Sequence, residues 1–328
     1  MDKRKVIFDC DIGCDDAVAL TALLLADNVD VMAVTTVFGN RPVDNTTDNA
    51  LRLLAFMNKD IPVYRGCNTP IVRTLTRGRD LNTRMERIRL VVNGEEITIH
   101  EATLPLPDSK RHEEDKHACS YLIETLMKSE EKIDVCATGP LTNIAMALRL
   151  EPRIAEKIGT LYIMGGGLYI GNRTPVAEAN FYDDPEAAEI VLTSGINIVL
   201  SPIEGCHAGA TYTQKDIDEL DAVGTPVSHF LAEELRNFIK RCQILFAPDD
   251  DTCCIYDYAA IIPLIDPEAV TDIRKEICRV DFYGGMADGQ LVVDRRGFDN
   301  DDSTVRIVYD MDSDRVHRYL LDLLKRNA

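Results

Sequence analysis

Lys5-Val6-Ile7-Phe8-Asp9-Cys10-Asp11-Ile12-Gly13-Cys14-Asp15-Asp16-Ala17-Val18-Ala19-Leu20 passes from an unbroken apolar run to a stretch apolar on nearly every side. The first part reads as a strand buried on both faces of a parallel sheet, the second as a buried helix over about 17–26. Asp9, Asp11, Asp15 and Asp16 therefore crowd a strand-to-helix turn, at the carboxyl end of a strand, where open α/β sheets bind ligands. Four carboxylates in eight residues raise one another's pKa unless a cation, a proton or strong donors compensate. A divalent cation answers that need, and carboxylates beside Gly13 suit an oxygen-preferring ion such as Ca²⁺ or Mg²⁺.

Composition narrows the partner. The chain has 328 residues, is 45% hydrophobic and carries a formal charge of −19. That acidity argues against a nucleic-acid polymer and an anionic membrane surface, and favours a free small molecule. No apolar run reaches membrane-spanning length and no signal-peptide core follows Met1, which predicts a cytoplasmic protein. Ten cysteines are scattered without a CxxC pair; this predicts reduced, mostly buried thiols and argues against zinc. Nothing divides the chain, so residues 1–328 are expected to form one domain.

The pattern alternates from there. Val29–Val37 reads as a strand ending in Phe38-Gly39-Asn40, residues 49–56 as a helix and Pro62–Tyr64 as a short strand. Between about 65 and 116 the alternation breaks into an insertion. Ile88, Leu90 and Val92, then Ile97 and Ile99, flank Asn93-Gly94, the signature of a hairpin, and such an excursion serves either as a lid over the strand ends, the reading favoured here, or as a decorated edge. A helix at 118–128 and the strand Ile133–Ala137 lead to Thr138-Gly139-Pro140-Leu141-Thr142-Asn143, a second strand-to-helix turn. The strand Thr160–Met164 precedes Gly165-Gly166-Gly167, and Asp184-Pro185 starts a helix by capping. The strand Asn197–Leu200 comes before His207, read as structural. Helices follow near 214–220 and 227–245, with Asp249-Asp250-Asp251 as a solvated loop. Asp257 opens an apolar helix and reads as a paired or metal-bound carboxylate. Strands at 277–282, 290–293 and 304–308 and a helix at 313–324 complete the chain.

Taken in order, these motifs resemble the inosine/uridine-type nucleoside N-ribohydrolases over nearly the whole length. The anchors are Asp9–Ala17, Phe38-Gly39-Asn40, Thr138–Asn143, Met164-Gly165-Gly166, Gly171-Asn172 with Ala177-Glu178-Ala179-Asn180, Asp184–Ala188, and Tyr256-Asp257. The resemblance implies a single-domain, doubly wound α/β fold with helices on both faces of a mostly parallel sheet. It also implies a homodimer or homotetramer and a Ca²⁺ at the strand ends. By the same resemblance, Asp11, Asp16, Asp257 and the Thr138 carbonyl hold the metal, and Asp11 is the base that activates a metal-bound water. Asp15 and Asn40 meet the ribose near its 2′-hydroxyl. Asn172, Glu178 and Asn180 hold its 5′ and 3′ side, Met164 packs nearby, Asp257 contacts substrate as well as metal, and Asp9 supports the turn. The expected reaction is calcium-dependent hydrolysis of a ribonucleoside to ribose and free base.

Three departures from the family pattern fall around the motifs. Ile12 replaces a common Pro, a change the metal turn tolerates. Tyr256 stands where a leaving-group His is usual, and is expected to donate the proton or stack. The insertion with Ile99-His100-Glu101-Ala102-Thr103-Leu104 replaces a His-Gly-rich segment. The last two lie on the base side, which predicts a modified or unusual nucleobase. Two rival readings use the same residues: a non-catalytic nucleoside or ribose sensor, and a haloacid-dehalogenase-like phosphatase with Asp9 as nucleophile.

Overall fold

A computed structural model describes residues 3–76, 79, 89–92, 95–245, 247–296 and 303–328. Its strands in chain order are β1 (Arg4–Cys10), β2 (Val29–Thr36), β3 (Val63–Arg65), β4 (Arg89–Val92), β5 (Glu95–Thr98), β6 (Ile133–Ala137) and β7 (Ile158–Met164). Then come β8 (Ile198–Ser201), β9 (Thr211–Thr213), β10 (Thr252–Cys254), β11 (Val270–Lys275), β12 (Cys278–Val280), β13 (Leu291–Val293) and β14 (Val305–Met311). Eight of them form the central sheet, in the order β11-β14-β8-β7-β6-β1-β2-β3. All neighbours pair in parallel except the edge pair β11–β14.

The apolar run of β1 explains its central place. Val6 and Phe8 pack into the layer built on the helices Cys14–Leu25, Pro226–Leu245, Tyr256–Ile265 and Ser313–Arg326. Ile7 points the other way, toward the helices Ala118–Lys128, Thr142–Leu150 and Pro185–Leu192. All three side chains are fully buried, and burial of each stabilises the fold by about 1.5–3 kcal/mol. From β1 the chain winds outward through β2 to β3, then returns to place β6 on β1's other side. The carboxyl ends of β1 and β6 therefore flank the topological switch point, and a crevice opens there.

Several elements differ from the sequence reading. The second helix begins at Val43, and a short helix, Ala179–Asp183, precedes the one at Pro185. The edge strand β11 escaped notice because five of its six side chains are charged, polar or exposed and present no apolar period. In the insertion, β4 pairs with β5, Leu90 opposite Ile97 and Val92 opposite Glu95. Ile88 and the connecting Asn93-Gly94 lie outside the described residues.

Candidate active site

Two buried helices aim their first turns at the switch point. Cys14–Leu25 carries Asp15 and Asp16 there, and Tyr256–Ile265 carries Asp257. Their exposed N–H groups and dipoles offset part of the negative charge. Asp257 does not cap its own helix, whose N-cap is Ile255 without a side-chain bond; its carboxylate instead meets Asp15 and Asp16. One oxygen from each of the three lies within 4.8 Å of the others. Asp15, which the resemblance puts at the ribose, thus also shares the carboxylate cluster that the crowded first turn predicts.

Asp11, at the end of β1, is held from one side. Its Oδ2 accepts the Asn40 N–H at 2.6 Å, while its Oδ1 is buried without a partner, as is Asp15 Oδ1. Asp16 accepts from Gly13 N–H (2.9 Å), Thr138 Oγ1 (2.8 Å) and Asn40 Nδ2 (3.2 Å), which ties the turns after β1, β2 and β6 together. Burial pushes all four carboxyls up: Asp15 to about 7, Asp16 above its ordinary value, and Asp11 and Asp257 well above the ordinary range. Neighbouring carboxylates add to the shift of Asp11, Asp15 and Asp257. Such a cluster reaches full ionisation only against a cation. Orphaned carboxylate oxygens and an all-oxygen donor set fit a hard divalent ion.

Two glycines let the backbone close on Asp11. A Cβ on Gly39 would overlap Asp11 Oδ2, and one on Gly139 would lie 2.9 Å from Oδ1. Gly39→Ala is expected to leave the fold intact by circular dichroism and to lower kcat by about 100-fold, the scale of an ångström-sized misplacement of a catalytic group. A change below threefold would show that Asp11 tolerates displacement.

Asp9 sits behind this assembly. Fully buried, it accepts from Thr35 Oγ1 at 2.5 Å and Asn143 Nδ2 at 2.8 Å. It does not line the cavity, which removes the phosphatase reading that needs Asp9 as nucleophile.

Asp11, Asp15, Asn40, Thr138, Met164, Asn172, Glu178, Asn180, Tyr256 and Asp257 line one cavity of about 600 Å³. Asp16 meets them from beneath its wall. Asn180 donates to the Thr138 and Met164 carbonyls at 2.7 and 3.2 Å, joining the ends of β6 and β7. Glu178 commits both oxygens to the Gly166, Asn180 and Phe181 N–H groups, and burial still pushes it to about 7. Asn172 Oδ1 accepts the Ala179 N–H at 2.9 Å, which leaves its amide N–H₂ for a ligand. Arg173 reaches the same wall paired with Asp183 at 2.7 Å.

The opposite wall contains residues that the sequence did not single out as functional. His100, just past the hairpin, brings Nδ1 to 4.0 Å from Asp15 Oδ1. Arg41 binds Thr98 and the His100 carbonyl, and Arg241 binds Glu101, so two arginines far apart in sequence fix this position. Burial, then Arg241, pushes His100 down to about 3, which keeps it neutral. His207 Nε2 lies 3.0 Å from the Tyr256 hydroxyl. Phe238, Cys242, Cys253 and Asp250 complete this side; Asp250 therefore borders the cavity, and is more than a solvated loop residue.

Comparison with known proteins agrees with this geometry. Residues 6–318 match the model of the inosine-uridine preferring nucleoside hydrolase family. The pyrimidine-specific ribonucleoside hydrolase RihA of Escherichia coli is 33% identical over 326 residues, covering 98% of each chain. Among solved structures, the plant nucleoside hydrolase PpNRh1 superposes with a TM-score of 0.84 at 30% identity over 99% of both chains. A purine-preferring ribonucleoside hydrolase from Gardnerella vaginalis gives 0.84 at 25% identity, over 98% of this chain and 100% of that one.

Proposed function

This chain belongs to the inosine-uridine preferring nucleoside hydrolase family, and from that premise we propose that it is a calcium-dependent ribonucleoside hydrolase whose base-side wall selects an unusual nucleobase. One observation carries the reading: Asp11 and Asp15 each keep a buried, unpartnered oxygen beside Asp16 and Asp257, in a cavity that Asn172, Glu178 and Asn180 line from the other side. Asp11, Asp16, Asp257 and the Thr138 carbonyl would hold Ca²⁺, with Asp15 adjoining. When bound, that ion supplies Lewis acidity, gripping the ribose diol and lowering the pKa of water.

The residues then divide the work. Asp11 Oδ1 takes a proton from the attacking water, while Asn40 keeps the other oxygen fixed. The carboxylates stabilise the positive charge that an oxocarbenium-like ribose develops as its bond to the base breaks. Asn172 and Asn180 align the sugar. At the departing base, burial keeps the Tyr256 hydroxyl protonated, well above its ordinary value. Tyr256 donates its proton to the departing base, and the exposed His207 restores it, Nε2–H passing to the phenolate as Nδ1 takes a proton from solvent.

Tyr256→Phe tests that last step. It is expected to lower kcat about 100-fold for natural ribosides, the usual scale of acid catalysis, while hydrolysis of p-nitrophenyl riboside, whose leaving group needs no proton, changes less than threefold. Equal losses on both would assign Tyr256 to stacking. The parent reading is tested by ribose release with Ca²⁺ across common and modified ribosides. Turnover absent from Asp11→Ala supports a hydrolase, and the best riboside names the base. Binding without turnover would favour a sensor, and inosine or uridine as the best substrate would overturn the unusual base.

No helix among the described residues is long and apolar enough to cross a membrane. A cytoplasmic site of action and a homodimeric or homotetrameric assembly accord with the acidic sequence and the family resemblance.

A further inference from the structure

Outside the cavity, around Asn143, Cys67, His117 and Cys119 converge at the neck of the insertion. One ligand atom of each lies within 4.8 Å of the others, and the two sulfurs are 4.0 Å apart. We propose that these three side chains form a zinc site that staples the entry of the insertion to its exit.

The spacing favours a metal over a direct sulfur–sulfur bond. With Zn–S near 2.3 Å, two thiolates on a tetrahedral ion sit about 3.8 Å apart; a disulfide would need the sulfurs at about 2.05 Å. Two thiolates and a neutral imidazole also balance a dication, and a reduced chain keeps them available. All ten cysteines are free. Cys67 and His117 border a cavity of about 540 Å³, which provides an entry path and room for water as a fourth ligand.

The surrounding bonds show what such a staple holds. Cys67 lies just after β3; its N–H donates to Asn143 Oδ1 at 2.8 Å and its carbonyl accepts the Phe38 N–H at 3.1 Å. His117 caps the helix Ala118–Lys128 by accepting the Cys119 N–H at 3.2 Å. The Cys119 thiol donates to the Asn143 carbonyl at 3.4 Å. Asn143 in turn holds Asp9. Zinc would close a loop of about fifty residues at its base, where cross-links restrict the unfolded chain most, and that loop carries His100. No local motif announces the site, because folding alone brings Cys67 to His117 and Cys119.

Co²⁺ titration tests it. Reduced, chelator-stripped protein in excess Ca²⁺ is expected to gain thiolate-to-cobalt charge-transfer absorption at one equivalent per chain, and Zn²⁺ to abolish it. Cobalt at carboxylates gives no such band. Cys67→Ser and Cys119→Ser should lose the band, and His117→Ala, a change at an exposed residue, should weaken binding at least about tenfold. Zn²⁺ should also slow proteolysis within 66–117, an effect absent from Cys67→Ser. No band, or a band that survives in both Cys67→Ser and His117→Ala, would overturn the site.

Discussion

Asp11→Asn is expected to lower kcat for every riboside by about 10³–10⁴-fold, equivalent to about 4–5.5 kcal/mol of transition-state stabilisation, with KM changed by less than about fivefold. The prediction follows from the two unequal oxygens of Asp11. One accepts the Asn40 N–H, a bond that an amide oxygen can keep; the other is buried, unpartnered and available to take a proton. Asparagine has nearly the same shape and no basic oxygen, so ground-state contacts persist while proton transfer is lost. The Asp11 carboxylate also faces the developing charge on the sugar, which places the loss toward the upper end of the range. Steady-state kinetics with saturating Ca²⁺ checks it, alongside calcium affinity measured by calorimetry. A loss under tenfold would mean that another group takes the proton. A large loss accompanied by an equally large fall in calcium affinity would mean that Asp11 acts as a ligand alone.

How much of this could be read from sequence depended on whether the signal was local. The strand-turn-helix of residues 5–20 compresses the fold's central strand, the cluster's first three acids and the buried helix into one stretch. Its all-apolar character reports burial on both faces, and the same logic located Asp257 on its helix. His100 gave no comparable signal. Its place over Asp15 depends on Arg41 after β2 and Arg241 in a distant helix. His207 lies in the eight-residue helix Ile203–Ala210, which contains two glycines and is too short for a clear period. Only the approach of Tyr256 marks it. Asp9 and Asp11 show the converse limit. Two residues apart at the end of one strand, they looked alike, yet one is bound by Thr35 and Asn143 behind the turn and the other borders the cavity.

Calcium removal should have the other large effect, and its sign reverses the usual behaviour of acidic proteins toward pH. Without metal, burial lifts Asp9 to about 6, Asp15 and Glu178 to about 7, and Asp11 and Asp257 well above the ordinary carboxylate range. Unfolded carboxyls titrate near 4. Between about pH 4 and pH 7 the folded chain therefore holds more protons than the unfolded one, and stability falls as pH rises through that window. The stabilisation is complete below about pH 4 and lost once these groups must ionise. Ca²⁺ held by the ionised cluster would bring its carboxyls below their unfolded values, and their contribution would then persist at neutral pH. The calcium-induced rise in Tm should consequently be larger at pH 8 than at pH 5, by about 5 °C or more, since a few kcal/mol shifts a chain of this size by that order. Comparing loaded and stripped protein at each pH cancels the surface groups common to both. Chelation at pH 8 should also cut ribose release by at least about 10³-fold, with recovery on adding Ca²⁺. An equal Tm gain at both pH values would show that the cluster is already ionised without metal. The unpartnered oxygens of Asp11 and Asp15 would then be compensated by donors within the protein, and the cavity would have no electrostatic need for a cation.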